Sequence, residues 1–167
     1  MFIRTNARPF GRSLSPLMAR ALTVALYGGY LLGCVLQLLA GDGQERAGLA
    51  FVGLGLVVVA VAAFCVLATS SLQRLAQEPA SQLDERELQE RNRAAFIAHS
   101  LFSGVVLSGL LYMMVRADLA ANGKAQLWAP VDGDQWSALM LGMTMFSLTL
   151  PAAVLAWTRK APEVEEA

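Results

Sequence analysis

Histidine occurs once in this chain, cysteine twice, and charged residues make up only 16% of the whole. Each scarcity excludes something. Two cysteines cannot build a disulfide framework. Cys34 and Cys65 are also expected at depths differing by roughly 10 Å at 1.5 Å per helical residue, too far to bridge. A soluble domain of this length carries charge on about a quarter of its residues. Equal numbers of acids and bases, 13 each, leave no net basic field, so nucleic acid is not an expected partner. The charges that exist are also missing from long stretches. None lies between Arg20 and Asp42, Arg46 and Arg74, Arg93 and Arg116, or Asp134 and Arg159.

Those four gaps are what the 56% hydrophobic content fills. Each exceeds the ~20 residues needed to cross a ~30 Å hydrocarbon core as an α-helix. A helix satisfies every backbone N–H and C=O within its own segment, and the runs are continuously apolar rather than alternating, which excludes a β-barrel. The expectation is an all-α integral membrane four-helix bundle forming one domain over 1–167, with spans near 18–40, 48–71, 95–116 and 136–157. Lys and Arg set its orientation. Ten of the 13 lie in the N-terminal arm (Arg4, Arg8, Arg12, Arg20), between spans two and three (Arg74, Arg86, Arg91, Arg93) and in the tail (Arg159, Lys160). By the positive-inside rule, the basic arm 1–17, the loop 72–94 and the tail 158–167 are all expected in the cytoplasm. Trp136 and Trp157 bracket the fourth span, and Tyr112 stands near the outer end of the third, as interfacial anchors.

The first span follows a basic arm, as a secretory signal would, and Leu31-Leu32-Gly33-Cys34 has the outline of a lipobox. Leu32 is bulky where small residues are typical, however, and the apolar run continues from Val35 to Leu39, so a plain transmembrane helix is expected. Between spans two and three, no Gly or Pro interrupts Leu56 to Glu78, which predicts a second helix running out of the membrane through Leu72 and Leu75 until Pro79. Ser81 to Asp84 resembles a capping box opening a third helix, with Arg86–Glu90 and Glu87–Arg91 as i,i+4 pairs. The result would be a charged cytoplasmic hairpin over 72–94, packed on itself by Leu72, Leu75, Leu83 and Leu88. Arg86, Glu87, Glu90 and Arg91 are its candidate docking residues.

Leu83-Asp84-Glu85-Arg86-Glu87 followed by Arg91-Asn92-Arg93-Ala94 at the mouth of a helix resembles a juxtamembrane pattern of small, uncharacterised bacterial inner-membrane proteins. The resemblance implies a bacterial inner membrane and carries no activity with it.

Chemistry has little to work with. His99 sits about one turn inside span three, a possible polar intramembrane site. No second histidine and no intramembrane acid accompanies it, so a metal cage, a proton relay and an oriented catalytic base are all missing. Met113, Met114, Met140, Met143 and Met145 could bind Cu(I), but methionine also fills core gaps, and their spacing does not converge. Neither a cofactor nor an enzyme is expected. Small residues speak to assembly instead: Gly29 and Gly33 in span one, Ser100, Gly104 and Ser108 in span three, Ala138 and Gly142 in span four. Such stripes let backbones approach where lipid gives no hydrophobic drive. Pro151 should kink span four, with Thr144, Ser147 and Thr149 offsetting the freed backbone groups. The expected role is an accessory or interaction subunit of a membrane complex or homo-oligomer. Its partners would be the bilayer and either a membrane protein or a second copy. A small oligomeric transporter or channel, with His99, Ser100, Ser103 and Ser108 lining a path, is the alternative.

Overall fold

The computed structural model describes residues 13–41, 46–124 and 127–159; the basic arm with Arg4, Arg8 and Arg12 and the tail from Lys160 lie outside the described residues. Five α-helices are found among the described residues: α1 (Pro16–Ala40), α2 (Ala47–Ala68), α3 (Ser71–Gln77), α4 (Glu85–Ala121) and α5 (Gly133–Thr158), with a 3-10 turn at Ala80–Gln82. Four of them, all but α3, are long and apolar enough to cross a membrane.

Local chemistry sets the ends. Ser15 accepts from the Met18 N–H and Pro16 occupies the first turn of α1, where its missing N–H costs nothing. At the other end Gly41 takes a positive φ of 53° and returns its N–H to the Gln37 carbonyl. That conformation suits a residue without Cβ.

α1 and α2 form the tightest pair, and glycine is the cause. A Cβ on Gly33 would lie 2.7 Å from the Gly53 carbonyl oxygen, and one on Gly53 would lie 2.8 Å from the Gly33 carbonyl oxygen. The two backbones therefore touch directly. Leu26, Tyr30, Ala60, Ala63 and Leu67 close around this contact, joined by Met145 from α5.

The second helix departs from the expectation. It ends at Ala68 instead of continuing to Glu78. Thr69 bonds back to the Cys65 and Val66 carbonyls, and buried Ser70 becomes the N-cap of a new helix, accepting from the Gln73 N–H at 3.4 Å. α3 turns under the molecule, burying Leu72 and Leu75 against Ala19 of α1, Ala94 and Ala98 of α4, and Ala152 and Leu155 of α5. Leu83 packs at the edge of that cluster. The segment 72–94 is thus built into the basic end of the fold rather than standing off it as a self-packed hairpin.

α4 does run unbroken from the charged segment into the apolar one, for 37 residues. Its cap is Asp84, which accepts from the Glu87 N–H at 2.7 Å. Asp84 to Glu87 thus has the spacing of a capping box, one step later than the Ser81–Asp84 reading.

Candidate functional site

Three features can do more than hold the fold: a polar seam between α1 and α5, an uncovered face of α4, and a cleft at the basic end.

The seam comes from helices running antiparallel. Going up α1, Arg20 donates through Nε to the Ala156 carbonyl at 3.2 Å, Tyr27 meets Thr149 at 3.2 Å, and Tyr30 donates to the Ala138 carbonyl. Thr149 commits its own proton to the Met145 carbonyl at 2.7 Å, so Tyr27 is the donor in their bond. Gly142 provides the room: a Cβ there would sit 2.7 Å from Cε1 of Tyr30. Arg20 also lies 5.3 Å over the Trp157 ring, and its charge meets the carbonyl end of α5, where a cation is favoured. Ala138 and Gly142 therefore serve Tyr30 within the chain. Gly29 lies with Gly33 along the α2 contact, its imagined Cβ 3.4 Å from the Leu56 carbonyl oxygen.

The turn before Pro151 also meets a residue from another helix. The Thr144, Ser147 and Thr149 hydroxyls bond to the Met140, Thr144 and Met145 carbonyls of their own helix, none of them the Ser147 carbonyl opposite the missing Pro151 N–H. It is Gln73 of α3, nearly fully buried, that donates through Nε2 to the Leu148 carbonyl at 2.8 Å, three residues before the proline. Its Oε1 is buried without a partner among the described residues.

The small-residue stripe of α4 meets nothing among the described residues. Ser100, Gly104 and Ser108 are exposed, and a Cβ on Gly104 has no neighbour within 4 Å. Only Ala94 and Ala98 of α4 are buried among the described residues. At 3.6 residues per turn Ser100 points about 200° away from Ala98, to the far side of the helix. His99 is exposed on the same helix, and Ser103 is half-buried. Farther along, the Tyr112 hydroxyl donates to the Trp128 carbonyl at 2.7 Å and Arg116 Nε to the Leu127 carbonyl at 3.2 Å, tying α4 to the segment that leads into α5.

The charged quartet divides. Arg86 pairs with Glu90 at 3.4 Å as its spacing implies. Arg91 does not pair with Glu87; it donates to the Glu78 carbonyl and to Asn92 Oδ1, pinning the start of α4 to the end of α3. Glu90 takes a second partner that sequence spacing gives no hint of, Arg159 at the end of α5, at 3.7 Å. Arg86, Glu87, Glu90 and Arg159 line a cleft of about 950 Å³ together with Leu14, Ala19, Leu72 and Leu155.

No group of histidine, cysteine and acidic residues able to hold a metal occurs among the described residues. Of the methionines, Met145 is core while Met114 and Met140 face outward. Cys34 and Cys65 are both free thiols. No protein-family model, curated protein or solved structure matches the chain.

Proposed function

We propose that this is a non-enzymatic accessory or interaction subunit of the bacterial inner membrane, with both termini cytoplasmic, that associates through α4 with another membrane protein or a second copy of itself. The supporting observation is the bareness of α4: a 37-residue helix carrying Ser100, Gly104 and Ser108 on a face that nothing among the described residues covers. In a bilayer lipid is as apolar as leucine, so small residues on an exposed face gain their value from a helix that can approach closely. His99 beside that face points the same way. A polar side chain in a membrane is costly against lipid and less so against a partner. Arg86, Glu87 and Glu90 would extend the contact beyond the membrane, while Arg91 is occupied in holding the α3–α4 turn.

The test is extraction of the tagged chain in mild detergent with native lipid, followed by mass determination of what is retained. A stoichiometric second polypeptide or second copy, lost on Gly104→Leu with the unfolding midpoint unchanged, supports the reading. A wild-type chain that is monomeric and retains nothing overturns it. The transporter alternative draws on one observation, that His99, Ser100 and Ser108 are all outward-facing on α4. A path lined by them would have to form between copies, so it requires a homo-oligomer and flux in liposomes that falls with His99→Ala.

A further inference from the structure

The segment that leads into α5 comes back to the level where the apolar part of α4 ends. α4 passes the last residue of its uncharged run, Val115, and continues beyond Arg116 to Ala121. That overshoot is five residues (121 − 116), or about 7.5 Å at 1.5 Å per helical residue. The chain then turns through Gly123, whose φ is 63°, and Leu127 is back beside Arg116, its carbonyl 3.2 Å from the Arg116 Nε. Trp128 lies deeper. Its carbonyl accepts from the Tyr112 hydroxyl at 2.7 Å, and Tyr112 is about one helical turn before Arg116. Side chains on a helix lean toward its N-terminus, which on α4 is the direction of the apolar zone. The Trp128 carbonyl therefore sits no higher than the last uncharged turn.

Non-helical backbone at that depth cannot leave its polar groups to lipid. Three of them are met by side chains: the Leu127 and Trp128 carbonyls as above, and the Val131 N–H by Gln135 Oε1 at 3.0 Å. Pro130 has no N–H to satisfy. The side chains match. No charged residue occurs from Leu127 to Val131, Trp128 is 47% exposed and Val131 81%, while Ala129 between them is buried. Gln135 and Arg116 line the same hollow, so the first turn of α5 stands at this level, and outward-facing Trp136 with it.

We propose that Leu127–Val131 is a wedge seated in the lipid surface opposite α3, with Val131 at the acyl boundary and the Trp128 indole among the headgroups. Tryptophan suits that place, because its ring is apolar and its one N–H can go to a lipid oxygen. The wedge also steadies α4. The buried residues of α4, Ala94 and Ala98, lie toward its other end, and the Tyr112 and Arg116 bonds tie this end to the seated segment. The seat does not depend on which way the molecule faces, nor on α4 being a docking face.

The test uses the full chain in phosphatidylcholine vesicles, with Trp136→Phe and Trp157→Phe leaving Trp128 as the one tryptophan. Bromine placed on the acyl chains just below the headgroups should quench Trp128 more strongly than bromine near the chain ends, and aqueous acrylamide should quench it weakly. Val131→Asp should reverse the pattern, with loss of most bromine quenching and a gain in acrylamide quenching, because a carboxylate draws the wedge into water. Strong acrylamide quenching without bromine quenching in the parent chain overturns the proposal. Protection from both quenchers overturns it too, since the indole would then be covered by protein. A second measurement keeps all three tryptophans and places a nitroxide on Val131→Cys in a chain whose Cys34 and Cys65 are alanine. The nitroxide should collide more often with oxygen than with a water-soluble nickel chelate, and the opposite preference sinks the wedge.

Discussion

Glycine has two different meanings in this chain, and only the surroundings separate them. At Gly33 and Gly53 an added Cβ would meet backbone carbonyl oxygens at 2.7 and 2.8 Å, atoms that cannot rotate aside. Gly33→Ala should therefore force α1 and α2 apart and cost about 1–3 kcal/mol, as overpacking does elsewhere. At Gly104 the same change meets open space. There alanine should be neutral in an isolated chain or stabilising by up to ~1 kcal/mol through helix propensity. Reversible unfolding in bicelles reads both; equal effects at the two positions would contradict the packing described. Gly142→Ala belongs with Gly33, because the Tyr30 ring fills its place, and Tyr30→Phe should lose about 1 kcal/mol for the bond to the Ala138 carbonyl. The sequence offered GxxxG at Gly29 and Gly33 but nothing that named Gly53 as the partner. Register between two apolar helices follows from three-dimensional fit, which periodicity along one of them does not contain.

At the scale of the element, the clearest dependence runs from α3 to α5. Pro151 has no N–H to return to the Ser147 carbonyl and its ring crowds the preceding turn, where Gln73 donates to the neighbouring Leu148 carbonyl. If Gln73 compensates for the proline, the two must be energetically coupled. Gln73→Leu should cost about 1 kcal/mol in the wild-type chain and clearly less in a Pro151→Ala background, where loss of the ring's clash with the preceding turn lets the Leu148 carbonyl pair fully with the Ala152 N–H. Additive effects in that double-mutant cycle would show that the bond is incidental. The orphaned Oε1 limits the cost of the single change, since leucine also removes a buried acceptor that has no partner. The four long helices were legible in the sequence because an uncharged run of more than about 20 residues has few alternatives. The break at Thr69–Ser70 went unread although Ser70-x-x-Gln73 has the form of a capping box, as does Asp84-x-x-Glu87. Thr69-Ser70-Ser71 carries far less signal than Pro79, because hydroxyl residues also continue helices, and what fixes the turn is the burial of Leu72 and Leu75 beneath α5, a long-range effect. The Glu90–Arg159 pair is non-local in the same sense. It joins residues 69 positions apart (159 − 90) that no helical spacing relates.

For the whole molecule, the two ends of the fold differ in a way that a labelling experiment can read. One end gathers Ser13, α3, the start of α4 and Arg159; the other carries Gly41, the end of α4 at Ala121 and the start of α5 at Gly133. Among the described basic residues Arg46, Arg116 and Lys124 belong to the second end and Arg20, Arg74, Arg86, Arg91, Arg93 and Arg159 to the first, and the positive-inside rule predicts that the first faces the cytoplasm. Ser81 and Asn122 are exposed, one at each end, and neither lies in the apolar part of a span. Each can be replaced by cysteine in a chain whose Cys34 and Cys65 are alanine. A charged, membrane-impermeant maleimide added to intact spheroplasts should then label Asn122→Cys and leave Ser81→Cys untouched until the membrane is permeabilised. The reverse pattern would invert the molecule. Labelling of both positions in intact spheroplasts would mean that the number of crossings between residues 81 and 122 is even, and a single transmembrane α4 would be wrong. The experiment therefore tests orientation and span count together, with both reporters on turns rather than in the packed seams, so that neither substitution disturbs the contacts holding α1, α2 and α5 in place.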